Sequence, residues 1–376
     1  MKKYGLIGKN ISYSFSKIIH EYLIKEFNVR ATYDIIDTDF ISQKLISEYD
    51  GLNVTIPYKQ EVIKYCNAIT KIGVSNLIFN NQCYNVDHDG FDYLYKQIST
   101  PKSTVILGNG ACAKLIKVHY PSCVVIDTLE QIDVEVIKGD LLINATPVGM
   151  GEYVSIVDED VVKKFKAVID LNYTPINSKL KYYCYKQGII YLSGLEMLVV
   201  QAIRSFEMFN NINVTNDYIN KIILEIVKNQ GMKIAIVGMP LAGKSSLVKK
   251  YSGTDIDEEI SKQYSIEKLI KDEKKFRKVE TTVIKKNLDK SLICLGGGAI
   301  KTSKNLELLK NHFIIFLDVE LTTLRSRFKE GIRPLLKNLS DVETTYYKRK
   351  KMYDNFSNLT LNFEKLEEFL DEYINN

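Results

Sequence analysis

The chain has 376 residues, 45% hydrophobic and 26% charged, with 51 Lys plus Arg against 46 Asp plus Glu for a net charge of +5. That length exceeds what one hydrophobic core usually holds, so two or three domains are expected. The small, evenly spread positive charge argues against a nucleic-acid partner and suits small anionic substrates, and no apolar run approaches the ~18 residues of a membrane span. Six cysteines lack any CxxC pair or metal-ligand spacing, so reduced, mostly buried thiols in a cytoplasmic protein are the expectation. Nothing in the sequence reports the oligomeric state.

Short apolar strands alternate with helical patterns in chain order: KYGLIG, ATYDII, GLNVTI, STVILG, CVVID, LLINAT and AVIDL, then KIAIVG, SLICLGG and FIIFLDV. This alternation predicts a mainly parallel α/β architecture. Near the start, Ser14 and Ser16 stand before an amphipathic helix, where a pair of helix caps is the plain alternative to a binding role. GLNVTIPYK, GVSNLIF and YNVDHDGF follow, bringing Asn53, Thr55, Lys59, Asn76 and Asp87. An ordinary surface ion pair is the plain reading of Lys59 and Asp87; a proton-relaying pair is the functional one. After STVILG comes GNGACAK, a Gly-x-Gly turn at Gly108 and Gly110 with Ala111 next, weak evidence by itself for a dinucleotide.

In this order, with INATPVGM, Tyr173 in DLNYTP and GLEMLVVQAIRSFEMF, the motifs of residues 4 to about 227 resemble shikimate dehydrogenase. The resemblance implies that Ser14, Ser16, Asn53, Thr55, Asn76, Tyr173 and Gln201 hold shikimate, with Lys59 and Asp87 as the catalytic pair. It further implies a Rossmann-like cofactor domain with Gly108, Gly110, Ala111, Asp127, Gly194 and Met197 at the nicotinamide cofactor. The family commonly shows another glycine at Ala111, an apolar residue at Asn172, and Asn-Arg-Thr after the second cofactor strand. Here that strand ends in Asp127 and Thr128, so the arginine that would meet the 2′-phosphate of NADP is missing. Asp127 suits the ribose hydroxyl of NAD, or else it turns to solvent while Lys114 or Lys117 holds the phosphate. The expected cofactor is therefore NADP or NAD.

Leu224, Ile226 and Val227 close a helical pattern, Gly231 is a stop signal, and Met232 opens the strand feeding GMPLAGKSS. Gly238, Gly243, Lys244 and Ser245, with Ser246 after them, fulfil the P-loop pattern between a strand and a helix, where backbone N–H groups converge on phosphate. Lys244 would reach the transferring phosphates of a nucleoside triphosphate and Ser245 would ligate Mg2+. TDIDEEI places Asp255 and Asp257 two apart in an extended segment, pointing to opposite sides. Arg277 in KKFRKVE suits a carboxylate, and Gly296, Gly297 and Gly298 permit close approach of a small ligand. With IRPLL at Arg333 and RKKMY at Arg349 and Tyr353, residues 232 to 361 resemble shikimate kinase. The resemblance implies that Asp255 orders magnesium and that Asp257 binds shikimate hydroxyls and serves as base. Arg277 and Arg349 grip the carboxylate, the glycines line the pocket, and Arg333 closes over the phosphates. Arg325 and Arg327 both stay open for the adenine. A GTPase would need Asn-Lys-x-Asp after the loop, and residues 232–376 contain none.

Together these imply a bifunctional enzyme of aromatic amino-acid biosynthesis, reducing 3-dehydroshikimate and phosphorylating shikimate. The alternative is a kinase carrying a degenerate, non-catalytic dehydrogenase-like module. The expected organisation is a substrate domain over 1–98 completed by helices in 195–230, a Rossmann-like domain over 99–194, and a P-loop nucleoside-monophosphate-kinase-like α/β domain over 231–376. Small molecules are the expected partners, with neither nucleic acid nor membrane.

Overall fold

The computed structural model describes residues 1–68, 73–127, 137–329, 336 and 338–374. The chain forms two compact units. The first comprises Met1–Val148, Ile156–Tyr173 and Tyr191–Gln230, and the second Gly149–Ser155, Thr174–Ile190 and Gly231–Asn376.

The first unit holds two sheets. One is built from β1 (Lys2–Gly8), β2 (Ala31–Asp37), β3 (Gly51–Val54), β4 (Asn67–Ala68), β5 (Leu77–Phe79) and β6 (Gln82–Tyr84), in the order β2-β1-β3-β5-β6-β4. β1 runs parallel to β2 and β3, and β5 lies antiparallel to β3 and β6. Asn80 and Asn81 join β5 to β6 with φ of 51° and 59°, the two left-handed residues that a tight hairpin requires. Cys66, just before β4, and Cys83, in the neighbouring β6, have Cα atoms 5.9 Å apart and form a disulfide. This corrects the expectation that every thiol is reduced.

The other sheet contains β7 (Thr104–Leu107), β8 (Val124–Ile126), β9 (Leu141–Asn144), β10 (Ala167–Asp170) and β11 (Ile190–Ser193), in the order β11-β10-β9-β7-β8. β7, β9 and β10 are buried along their whole length, as parallel strands covered on both faces must be. Strand order reverses at β7, the switch point at which such sheets bind ligands, and the glycine turn follows β7 directly. The helix Gly194–Asn210 then packs against the helices Asp87–Tyr95 and Ser16–Glu26. The fit is close at Gly90, where a Cβ would stand 2.5 Å from the Met197 carbonyl oxygen.

The second unit has one parallel sheet of β12 (Lys233–Gly238), β13 (Thr254–Asp255), β14 (Leu292–Cys294), β15 (His312–Leu317) and β16 (Leu359–Leu361), in the order β13-β14-β12-β15-β16. The helix Asp217–Asn229 stops and Gly231 turns with φ of 55° into β12. The second unit also draws on segments from within the first half of the sequence. Thr174–Ile190, with the helix Lys179–Gln187 that sequence order places between β10 and β11, belongs to the second unit. There the buried Asn177 amide donates to the carbonyls of Leu309 (3.0 Å) and His312 (2.7 Å). The buried Lys181 Nζ donates to Asn177 Oδ1 at 2.8 Å and to the Ser357 carbonyl at 2.9 Å. Among the described residues no helix is long and apolar enough to cross a membrane.

Two candidate active sites

In the first unit, Asp87 opens the helix Asp87–Tyr95 and Lys59 follows β3, so two separate elements deliver one pair. Lys59 Nζ lies 2.5 Å from Asp87 Oδ2, with both side chains largely shielded from solvent. Burial works against the charged amine, but the adjacent Asp87 carboxylate outweighs it and holds the Lys59 pKa above the ordinary lysine value. This is not a solvated surface pair. Asn76 extends the network, its amide donating to Asp87 Oδ1 at 2.9 Å and to Gln201 Oε1 at 3.4 Å.

Around this network, the Ser14 hydroxyl donates to Ser16 Oγ at 3.1 Å, and Ser16 begins the helix Ser16–Glu26 without a side-chain cap. Phe15 between them packs against Tyr173, ring centroids 5.4 Å apart. Burial raises the Tyr173 pKa, with the neighbouring Tyr13 adding to it and Lys59 opposing. Asn53 is tied more deeply than a pocket residue need be, accepting from the Tyr33 hydroxyl at 2.8 Å and donating to Ser205 Oγ at 2.7 Å. Thr55 is half-buried just after β3. Asn172, noted as a departure from an apolar position, has a structural task. Its amide donates to the carbonyls of Thr146 (3.1 Å) and Val148 (3.0 Å), fixing the turn after β9.

At the switch point, Gly108 has φ of 99° and a Cβ there would meet Thr146 Cγ2 at 2.8 Å, so the turn requires glycine. Nothing of the protein lies within 4 Å of where a Gly110 Cβ would be, and Ala111 starts the helix Ala111–His119. Asp127, one residue past β8, faces this turn, its Oδ2 accepting from Asn109 Nδ2 at 3.2 Å. Gly194 and Met197 have packing roles: a Gly194 Cβ would sit 2.1 Å from the Leu171 carbonyl oxygen, and Met197 is part of a buried core with Phe91 and Ile143. Sequence reasoning passed over the half-buried Cys112, whose thiol pKa is raised by desolvation and which stands within the electrostatic reach of Lys59.

In the second unit, one cavity is lined by Lys244, Ser245, Asp255, Asp257, Arg277, Gly296, Gly297, Gly298 and Arg349, so the motifs separated in sequence converge. The P-loop turns at Gly238 (φ 156°) and Gly243 (φ 98°), and Lys244 Nζ donates to the carbonyls of Gly238 (2.9 Å) and Met239 (3.0 Å). Ser246 is exposed beside it. The extended reading of TDIDEEI is corrected. Asp255 ends β13 and caps the helix Ile256–Gln263, its Oδ1 accepting from Asp257 N–H at 2.9 Å, so Asp257 occupies the first helical turn and both carboxylates face the same cavity.

Asp257 and Arg277 close on the glycines. A Cβ at Gly296 would lie 2.4 Å from Asp257 Oδ1, and one at Gly298 would lie 2.1 Å from an Arg277 guanidinium nitrogen. The Gly297 carbonyl accepts from Arg349 at 2.7 Å and from the Tyr353 hydroxyl at 2.6 Å. Glu280 was missed in the sequence although KKFRKVE contains it. It lies fully buried behind Arg277 at 2.6 Å, and burial pushes its carboxyl up to about 7. Of the two open arginines, Arg325 pairs with Glu343 at 3.1 Å, whereas Arg327 donates to the P-loop carbonyls of Leu241 and Ala242, both at 3.1 Å. Arg333 lies outside the described residues.

Comparison with known proteins finds one family for each unit. The family model for the shikimate dehydrogenase substrate binding domain matches residues 6–78, and the model for shikimate kinase matches residues 240–376. The shikimate dehydrogenase (NADP(+)) of Clostridium beijerinckii is 31% identical over 255 residues, spanning 57% of this chain and 94% of that protein. The chain belongs to the shikimate dehydrogenase family. It carries a shikimate kinase domain in the same polypeptide. The shikimate dehydrogenase (NADP(+)) of Sulfolobus acidocaldarius is 32% identical over 236 residues, 54% of this chain and 88% of that protein. Among solved structures, shikimate dehydrogenase 1 from Peptoclostridium difficile superposes with a TM-score of 0.53 at 29% identity, covering 60% of this chain and all of that one. A chorismate mutase/shikimate 5-dehydrogenase fusion protein from Clostridium acetobutylicum gives 0.52 at 30% identity, covering 60% and 97%.

Proposed function

We propose that the first unit reduces 3-dehydroshikimate to shikimate and that the second phosphorylates shikimate with ATP. The observation carrying the first activity is the shielded Lys59–Asp87 pair joined through Asn76 to Gln201. A nicotinamide cofactor at the turn after β7 would supply the hydride. The ketone must also gain a proton, and Lys59, kept charged by Asp87, stands to deliver it while Asn76 and Gln201 orient the ring hydroxyls. No feature of this site favours the degenerate module.

In the second unit, Arg277 and Arg349 would hold the shikimate carboxylate and Asp257 would accept the hydroxyl proton. Lys244, and Arg333 on closing, would stabilise charge on the transferring phosphoryl group. Ser245 and Asp255 suit magnesium, both being oxygen donors on the cavity wall beside Lys244. Asp255 keeps acceptor capacity beyond its helix cap.

For the cofactor, the facing of Asp127 onto the glycine turn favours contact with a ribose hydroxyl. The competing phosphate-binding role of Lys117 is disfavoured, because its amine already donates to the carbonyls of Pro121 and Cys123. NAD is therefore proposed to compete with NADP, although the relatives named above carry NADP(+) in their names. Thr128 lies outside the described residues.

Spectrophotometric assay of the purified chain with shikimate and NADP or NAD, beside a coupled ATP assay, tests all three points. Shikimate-dependent reduction and phosphorylation are both expected. Binding of shikimate without reduction of either nicotinamide would revive the degenerate module. An NADP preference above about tenfold that is unchanged in Asp127→Asn would remove Asp127 from ribose recognition.

A further inference from the structure

The helix Lys179–Gln187 touches the chain just beyond the glycine loop of the cavity. The Tyr185 hydroxyl donates to the carbonyl of Ile300, and its ring packs edge-on against Phe356 with centroids 5.1 Å apart. Ile300 lies two residues beyond Gly298, the last of the three glycines that line the cavity. The rest of that loop is held from within the kinase motifs: Arg349 and Tyr353 donate to the Gly297 carbonyl, and Asn305 donates to the Ala299 carbonyl at 2.9 Å. Loop placement matters here because the glycine backbone is wedged between Asp257 and Arg277 with no room for a Cβ. A shift of the loop would alter the separation of the groups proposed to receive the hydroxyl and the carboxylate of one small substrate.

We propose that Tyr185 is a positioning residue of the kinase site, fixing the Ile300 carbonyl and with it the pocket face of Gly296–Gly298. A helix encoded in the middle of the dehydrogenase sequence is thereby a working part of the phosphotransferase. Its hold on the loop is independent of the first unit's chemistry. It is anchored by Asn177 and Lys181 on the carbonyls of Leu309, His312 and Ser357. Only the kinetic consequence rests on the kinase reading.

The test is hydrogen–deuterium exchange on the full chain. The amides of Ala299, Lys301 and Thr302 are hydrogen-bonded within the loop, to the carbonyls of Gly296, Gly298 and Ala299. Tyr185→Phe removes the hydroxyl while keeping the ring against Phe356. Exchange in the peptide spanning 295–302 should quicken by about three- to tenfold, the loss expected for one hydrogen bond. The kinase KM for shikimate should rise by a similar factor, with KM for ATP unchanged and the melting temperature lowered by no more than a few degrees. Tyr182→Phe, on the same helix, should change neither. Unaltered exchange in Tyr185→Phe would overturn the proposal, and so would faster exchange spread through the whole second unit with a larger fall in melting temperature. Loop-confined acceleration in a chain that does not phosphorylate shikimate would uphold the positioning role while removing the kinase reading.

Discussion

Glu280 places one carboxylate oxygen on Arg277 and leaves the other, fully buried, without a hydrogen-bond partner among the described residues. Burial raises its carboxyl to about 7, with Arg277 opposing and Asp257 adding to the rise. Protonated, Glu280 no longer neutralises the guanidinium, so an anion at Arg277 is bound more tightly as pH falls through about 7. Calorimetric titration of shikimate into the kinase site should therefore show affinity increasing from pH 8 to pH 6, by a few-fold, and Glu280→Gln should flatten that dependence. An unmodified pH profile in Glu280→Gln would locate the titration elsewhere. In the first unit, Lys59→Ala should lower dehydrogenase turnover by roughly two to four powers of ten with a much smaller effect on shikimate affinity. At this scale the identities were readable and the environments were not. Lys59, Asp87, Arg277 and Arg349 could be named from their motifs, whereas Glu280 looks in sequence like any solvent-facing helix glutamate. Nor does a pair two apart in TDIDEEI reveal that Asp255 is a cap and Asp257 already helical.

Lys181 shows how an element can be misplaced while its secondary structure is obvious. Helix 179–187 has Ser178 as a capping residue and Gly188 in the left-handed region as its stop, both legible signals. Its partners were not legible, because a crossover between β10 and β11 is expected to cover its own sheet. Burial lowers the Lys181 amine to about 7. The unfolded chain keeps that proton to about pH 10, so between those limits folding releases a proton and stability rises with pH. Lys181→Met should abolish the rise, read as the difference in urea midpoint between pH 7.5 and pH 9.5 by circular dichroism. A wild-type midpoint flat over that interval would contradict it. The same helix gives a truncation test. A fragment starting at Gly231 loses the donors to Leu309, His312 and Ser357 and the cover of Leu180 and Cys184, and should melt well below the intact chain or aggregate. The hairpin of β5 and β6 was missed for another reason. Asn80-Asn81 was written in the sequence as a turn signal, but its flanking strands have three residues each, too short to show alternation.

For the whole molecule, two sites in two units predict separable activities. Lys244→Ala should lower kinase turnover by at least about a hundredfold and leave dehydrogenase turnover within about twofold. Parallel loss of both, in a variant that retains its circular dichroism, would show that the sites are not independent. The two families and the parallel α/β class were legible from the order of motifs, and each of the ten strands read in the sequence is present. The interleaving was not, since it is set by contacts between residues more than a hundred positions apart. It also has a temporal side. During synthesis the helix Lys179–Gln187 leaves the ribosome long before Leu309, His312, Phe356 and Ser357 exist, with well over a hundred residues still to be added between Ile190 and those partners. At about 5–20 residues per second, that is roughly 6–33 s in which the first unit can complete its sheets while the segment waits unpartnered between two of their strands. The Lys181 amine, which burial will later depress, stays hydrated and charged through that interval. A ribosome stalled before β15 should therefore hold a nascent chain whose dehydrogenase half is protease-resistant and whose 174–190 segment is cleaved.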